Sequence, residues 1–290
     1  DKTGQGKSPE EVRHDIDGYQ AASELPMFIA VDEEGGNVVR ASKFQSLREI
    51  PFESPAEVFS RGGLEALAAD TKAKCRFLRS LGVNLNYAPV CDLSFDRTNY
   101  IYHRTFGQDA KTSADCAAAV VSMMKRMRMG CSLKHFPGYG DNVDTHTGIA
   151  RDAKRTREEF GSSDYLPFLG GIGAGAGMVM VAHIIVDCMD GERPASLSPE
   201  VHRILREDMG FSGVIVTDSL DMGGITQFTG GSEAAVAALL AGNDLLCCSS
   251  YGAQIPAVRA AIADGTLTER RIDESVLRIL DYKLSLGIIG

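Results

Sequence analysis

The chain has 290 residues, 44% hydrophobic and 24% charged, with a net charge of −9; this is the make-up of a folded domain with a sizeable core. The negative balance argues against a nucleic-acid or anionic-membrane partner, because phosphate surfaces are met by basic patches. No apolar run approaches the ~18 residues of a membrane span, and nothing in the opening residues reads as a secretion signal. The seven cysteines, Cys75, Cys91, Cys116, Cys131, Cys188, Cys247 and Cys248, are odd in number and fit no zinc-ligand spacing. They read as small core residues kept reduced, which points to the cytoplasm.

In chain order, a Ser-Pro-Glu-Glu start signal predicts a helix over 8–24, and an apolar run predicts a strand over 27–31. A helix over 56–81 stops at Gly82 and leads to a strand over 83–90. The helix over 110–129 puts Ala114, Ala117, Val121 and Met124 on one face. Strands follow over 131–133, 178–182, 214–217 and 244–248, separated by helices over 156–169, 199–209 and 232–241. The last strand places Cys247 and Cys248 on opposite faces. Helices over 254–264 and 268–286 complete the chain. Strand and helix alternate, so the strands are parallel with helical crossovers. No linker, low-complexity segment or repeat divides residues 1–290, and one domain is expected.

Ionisable residues fall at the carboxyl ends of several strands: Asp32 after FIAV, Asp92 after YAPVC, Lys134 and His135 after CSL, His183 after VMVA, and Asp218 after VIVT. A (β/α) barrel builds its site in this way on its top face. A doubly wound sheet also places ligands at strand ends, but no GxGxxG turn or P-loop follows a strand. The glycines of GGIGAGAG (170–177) lie between a helix and a strand, the wrong order for a phosphate cradle, and are expected to form a closely packed loop.

The densest chemistry lies in KHFPGYGDNVDTHTG, residues 134–148. Its Lys-His pair at a strand end can grip a polar substrate. Asp144 and His146, two residues apart in a polar loop, can transfer a proton near neutral pH. Asp218, in VIVTDSLDM, reads either as a carboxylate aimed into a pocket or as a turn or helix-capping residue. In IAVDEEGGNVVR, Asp32 can accept hydrogen bonds from vicinal hydroxyls, and Arg40 can hold it or the ligand. The two glycines allow close approach of a ligand. Glu33 and Glu34 fit solvated loop charges, Glu34 the more so. Arg104, in HRTFG, sits in a loop able to reach the same pocket.

Taken together, IAVDEEGGNVVR, LNYAPVCDL, HRTFG, KHFPGYGDNVDTHT, MVAHI and GVIVTDSLDM, in this order, resemble the family 3 glycoside hydrolases, in particular their β-N-acetylglucosaminidase branch. The resemblance runs from about residue 27 to about residue 250. It implies an α/β fold, a (β/α)8 TIM-type barrel, in a family 3 N-terminal-type domain. It makes Asp218 the catalytic nucleophile, and Asp32, Arg40, Arg104, Lys134 and His135 the residues that hold the sugar. Asp144 and His146 become the loop-borne proton donor, with His183 a further substrate contact and Asp92 a structural acid of the rim.

The implied activity is exo-acting, retaining removal of terminal N-acetylglucosamine from peptidoglycan fragments or chitooligosaccharides, through a covalent glycosyl-enzyme on Asp218. No metal or organic cofactor is implied, and the partner is a carbohydrate. Tyr139 stands where a His is common in the family, which implies altered loop packing. Asn37 replaces a more usual Arg, which implies looser contacts beyond the first sugar.

Only six of the eight expected strands are readable. The two before residue 27 are missing, so the barrel is expected to be incomplete at its N-terminus, with exposed edges that a homodimer or a local rearrangement could cover. A signal preceding residue 1 would make the protein secreted. Two rivals to the active enzyme remain: a catalytically inactive sugar-binding remnant with an open barrel, and a β-glucosidase on the same fold.

Overall fold

The computed structural model describes residues 6–146, 148–229 and 233–290. All six apolar runs form strands: Ala30–Val31, Leu85–Asn86, Gly130–Cys131 continued by Leu133–Phe136, Met178–Val181, Val214–Ser219 and Leu245–Cys247. They pair in parallel and in chain order. Ala30 lies beside Leu85, Leu85 beside Gly130, Leu133 beside Val179, Val179 beside Ile215, and Val216 beside Leu245. Strands laid down in sequence order without a reversal make a TIM-type barrel wall rather than a doubly wound sheet. Among the described residues no ladder joins Ala30–Val31 to Leu245–Cys247, so the six-stranded wall is open on one side.

The period of two along each strand sorts the core into two layers. Leu85, Met178, Met180, Val214 and Val216 form one buried cluster. Their strand neighbours Val179, Val181 and Ile215 belong to a larger cluster with the helices. The inner cluster also contains Tyr282, from the helix Glu269–Ser285, and Leu286 just past it. The Tyr282 hydroxyl accepts the Cys131 N–H at 2.8 Å and donates to the Cys131 carbonyl at 3.1 Å. The same helix is tied to the wall through Asp244, which accepts from Ser275 Oγ at 2.8 Å and Arg278 Nη1 at 2.9 Å. A helix thus supplies part of the filling that inward-facing strand residues supply in a closed barrel. Among the described residues the two outer strands each keep an edge without a strand partner.

Local signals account for most helix boundaries. Ser8 and Ser54 each close a capping box, with Glu11 and Glu57, ahead of Pro9–Ala21 and Pro55–Ser80. The second of these kinks at Gly62 and Gly63. Asp109 caps Ala110–Arg126, which buries Cys116, Ala117, Val120, Val121 and Met124. The expected helices over 156–169 and 199–209 begin as α-turns and widen into π-helical segments, Phe160–Asp164 and Ile204–Asp208. The start of the helix expected from Ser232 lies outside the described residues.

GGIGAGAG is only in part a loop. Its first four residues end the helix Tyr165–Gly173, and a Cβ on Gly170 would stand 2.4 Å from the Ala114 carbonyl oxygen, so close helix packing demands the small residue there. Unforeseen elements are the hairpin Glu33–Gly35 with Val38–Val39, the helix Gly223–Thr229, and a small sheet of Ala150–Asp152, Ile184–Val186 and Asp190–Pro194. All seven cysteines are free. No helix among the described residues is long and apolar enough to cross a membrane.

Candidate active site

At the carboxyl ends of the barrel strands opens a cavity of about 380 Å³. Asp32, Glu34, Arg40, Tyr87, Tyr100, Arg104, Lys134, His135, His146, Asp218 and Cys247 are among its lining residues. Seven of the nine candidate residues line it; Asp144 is bonded to the lining His146, and His183 lies behind the lining Ser219.

The extended chain after Ala30–Val31 explains one wall. Alternation puts Asp32 and Glu34 on the cavity side and Glu33 on the other. Glu33 is fully buried and accepts the backbone N–H groups of Arg40 at 3.0 Å and Ala41 at 2.8 Å, which folds the hairpin back on itself. Gly35 has φ 108°, and a Cβ there would stand 2.1 Å from the Glu53 carbonyl oxygen. The close approach served by this glycine is therefore to the protein's own backbone, not to a ligand as the sequence suggested.

Glu34 is likewise not a solvated loop charge. Its carboxylate takes a bidentate pair from Arg104, Nε at 2.9 Å and Nη2 at 2.8 Å, and lies 2.6 Å from Lys134 Nζ. Burial alone would raise its pKa; the Lys134 and Arg104 charges outweigh burial and bring it down to about 2. Beneath it, the buried Lys74 ammonium donates to the Glu34 carbonyl at 2.8 Å and pairs with Asp70 at 2.8 Å.

Lys134 also reaches Asp32 at 2.5 Å. Burial favours neutral Lys134, but Glu34 and Asp32 more than offset this and raise its pKa, so it stays charged. The Lys134 side chain is 2% exposed and that of Asp32 36%. Asp32 is thus the carboxylate of this cluster able to meet a ligand's hydroxyls. Arg40 is exposed at the mouth and makes no ion pair among the described residues; the partner of Asp32 is Lys134.

His135 is held from both sides. Nδ1 lies 2.7 Å from Asp92 Oδ2 and Nε2 lies 3.2 Å from Arg104 Nη2. A guanidinium can only donate, so Nε2 accepts and the ring proton sits on Nδ1, facing the carboxylate. Asp92 also accepts the Tyr139 N–H at 2.6 Å, a structural rim acid in this geometry.

Asp218 ends Val214–Ser219 and lines the cavity, with the Ser219 N–H donating to Oδ1 at 2.7 Å. Burial pushes its carboxyl up; the neighbouring His135 and His183 rings, that N–H and the Lys134 ammonium outweigh burial and leave it below the usual carboxylate range. His183 does not face the cavity. It is fully buried, with Nδ1 2.8 Å from Ser196 Oγ and Nε2 2.8 Å from the Ser219 carbonyl. Burial lowers its pKa. Here the ring is not among the lining residues and buttresses the backbone just after Asp218.

The dyad sits at the rim, on the loop after Leu133–Phe136. His146 Nδ1 lies 2.5 Å from Asp144 Oδ1, and the same oxygen accepts the His146 N–H at 3.0 Å. The His146 side chain is 58% exposed, and its ring meets Tyr100 edge-on at 6.2 Å between centroids. Among the described residues no group of three or more His, Cys, Asp or Glu side chains is arranged to hold a metal ion.

The profile of the glycosyl hydrolase family 3 N-terminal domain matches residues 3–282. This chain belongs to glycosyl hydrolase family 3. The family 3 chain is 32% identical over 295 residues to beta-hexosaminidase A of Pseudoalteromonas piscicida, covering 92% of this chain and 49% of that one. It is 32% identical over 284 residues to a beta-N-acetylglucosaminidase/beta-glucosidase of Cellulomonas fimi, covering 93% and 49%. Among solved structures it superposes on a glycoside hydrolase family 3 β-N-acetylglucosaminidase from Paenibacillus sp. str. FPU-7 with a TM-score of 0.91 and 30% identity, over 98% of this chain and 56% of that one. The family 3 chain therefore spans about half the length of the curated relatives it matches.

Sequence reasoning missed Glu34, Tyr87, Tyr100 and Cys247 as cavity residues. For Glu34 the signal was present, since the strand period that exposes Asp32 exposes its second neighbour too. For Cys247, the reading that it and Cys248 face opposite sides was enough: Cys247 lines the cavity and Cys248 packs with Leu220 and Ala235.

Proposed function

We propose that this chain carries the active site of a retaining, exo-acting β-N-acetylglucosaminidase. The supporting observation is one cavity that has an ionised, partly buried Asp218 and, on another lip, a His146 ring already paired to a carboxylate. About 380 Å³ lies near the small end of ligand-pocket sizes, ~300–1,000 Å³, which suits one terminal sugar.

In the first half-reaction Asp218 attacks the anomeric carbon, the glycosidic C–O bond breaks, and His146 Nε2 gives its proton to the departing oxygen. In the second, His146 takes a proton from water, the hydroxide adds to the anomeric carbon, and the bond to Asp218 breaks. Two inversions retain configuration. Asp144 orients the ring and stabilises its protonated form. Asp32, with Lys134 and Arg104 behind it, grips hydroxyls of the terminal sugar, and Arg40 guards the mouth. Terminal N-acetylglucosamine on peptidoglycan fragments or chitooligosaccharides is the substrate class.

The test is turnover of paired chromogenic N-acetylglucosaminide and glucoside substrates. Preference for the first supports the reading. A second reading, β-glucosidase, draws on the double name of the Cellulomonas fimi relative and is favoured by preference for the glucoside. No turnover of either, with N-acetylglucosamine still binding, would instead identify an inactive sugar-binding remnant.

A further inference from the structure

The loop carrying Asp144 and His146 is fastened at a point that the chemistry above does not use. Tyr139, in FPGYG, is buried at 2% exposure. Its hydroxyl accepts the Thr145 N–H at 2.7 Å and donates to Thr145 Oγ1 at 3.0 Å. Thr145 is the residue between the two members of the dyad and is itself buried. One hydroxyl therefore binds both the backbone N–H and the side-chain hydroxyl of Thr145. At the other end, the Tyr139 N–H is held by Asp92, the carboxylate that also holds His135 Nδ1. The Tyr139 ring packs edge-on against His135 at 5.8 Å and against Tyr100 at 6.0 Å.

We propose that Tyr139 is a positioning residue that fixes the reach of His146 to the leaving-group oxygen and couples it, through Asp92, to the His135 side of the sugar pocket. The inference rests on the reading of His146 as proton donor. Tyr139 is not itself a lining residue of the cavity; it stands behind His135 and Tyr100 and reaches the dyad through Thr145. Burial raises the pKa of its phenol well above neutrality, which keeps the donor proton in place. The rest of the loop is fastened elsewhere: Ser94 Oγ, from the segment after Leu85–Asn86, donates to Asp141 at 2.6 Å, and Asn142 Nδ2 donates to the Tyr139 carbonyl at 2.8 Å. None of these reaches the dyad. Among the described residues, backbone bonds from Gly224 N to the Thr145 carbonyl and from Gly223 N to the His146 carbonyl, 3.1 Å each, share the task. Those bonds come from the segment just after Asp218, so the dyad is sighted on the nucleophile from one side and on the sugar grip from the other.

The test is Tyr139→Phe, which keeps the ring and removes the two bonds, with Thr145→Val as a second variant that loses only the Oγ1 bond. Each is assayed as full chain on an N-acetylglucosaminide with a poor leaving group and on an activated aryl one. Misplacing a general acid predicts a kcat loss of ~10–100-fold on the poor leaving group, little loss on the activated one, and a smaller effect for Thr145→Val. Because Tyr139 acts through His146, adding Tyr139→Phe to His146→Ala should change nothing further on the poor leaving group. Equal losses on both substrates, no loss on either, or a full additional loss in the double variant overturns the proposal. If His146→Ala itself fails to discriminate the two substrates, the proton-donor reading falls. If it discriminates and Tyr139→Phe does not, only the role of Tyr139 falls.

Discussion

The two sides of the cavity are built on opposite principles. The grip formed by Asp32, Glu34, Arg104, Lys134, His135 and Asp92 is a buried, mutually neutralising network in which each charge has at least one partner of fixed geometry. The dyad of Asp144 and His146 is a single pair on a loop, its imidazole more than half exposed. A buried network resists reorganisation and can aim its dipoles before substrate arrives. An exposed ring on a fastened loop can approach the leaving oxygen and then face water. Under the proposed function, the contrast gives rigidity to recognition and freedom to proton transfer.

The sharpest way to break this division is at Asp218, the proposed nucleophile, which belongs to the rigid side. Asp218→Asn should lower kcat by about 10⁴-fold or more, the scale of losing a covalent catalyst, with an unchanged melting temperature. Retained turnover would remove the assignment. Next, His146→Ala should cost ~10²–10⁴-fold on poor leaving groups, far less on activated aryl glycosides, and leave thermal stability intact because the ring is exposed. A fall in stability would place His146 in the structural network instead.

Glu34→Gln probes the opposite side, where the loss should be one of stability. It strips a carboxylate from two buried cations, and breaking such a cluster costs about 3–5 kcal/mol in denaturant unfolding. The pH dependence follows from the depressed pKa. Glu34 falls from 4.5 to about 2 on folding, so its contribution is complete above pH 4.5 and is lost as pH falls toward 2. The variant should show a flatter stability profile across that window, and an unchanged slope would contradict the network. Smallest is Tyr282→Phe, which leaves the Cys131 N–H buried without its partner and should cost ~1–3 kcal/mol with kcat unaltered.

The same division governs what the sequence could disclose. The wall was readable because FIAV, VMV and VIVT are apolar, β-branched runs of strand length, and the residues after them had to emerge at the rim. The pairing of the rim residues was not readable. The sequence left Arg40 to hold either Asp32 or the ligand, whereas Asp32 meets Lys134, far along the chain, and Glu34 reads as a solvated acid until Arg104 arrives from another loop. His183 follows a strand like the others, yet turns back to Ser196 and the Ser219 carbonyl, a direction fixed by tertiary contacts alone. The sheet of Ala150–Asp152, Ile184–Val186 and Asp190–Pro194 is made of segments too short for their period to register. The filling of the barrel by Tyr282 depends on a contact between distant parts of the chain, for which Cys131 carries no local sign.

The central claim is the covalent ester at Asp218. Incubation with a fluorinated N-acetylglucosaminyl inactivator, followed by proteolysis and mass spectrometry, should place one glycosyl label on the peptide bearing Asp218, with activity lost in step. A label on another residue, or none while the protein turns over N-acetylglucosaminides freely, would contradict it.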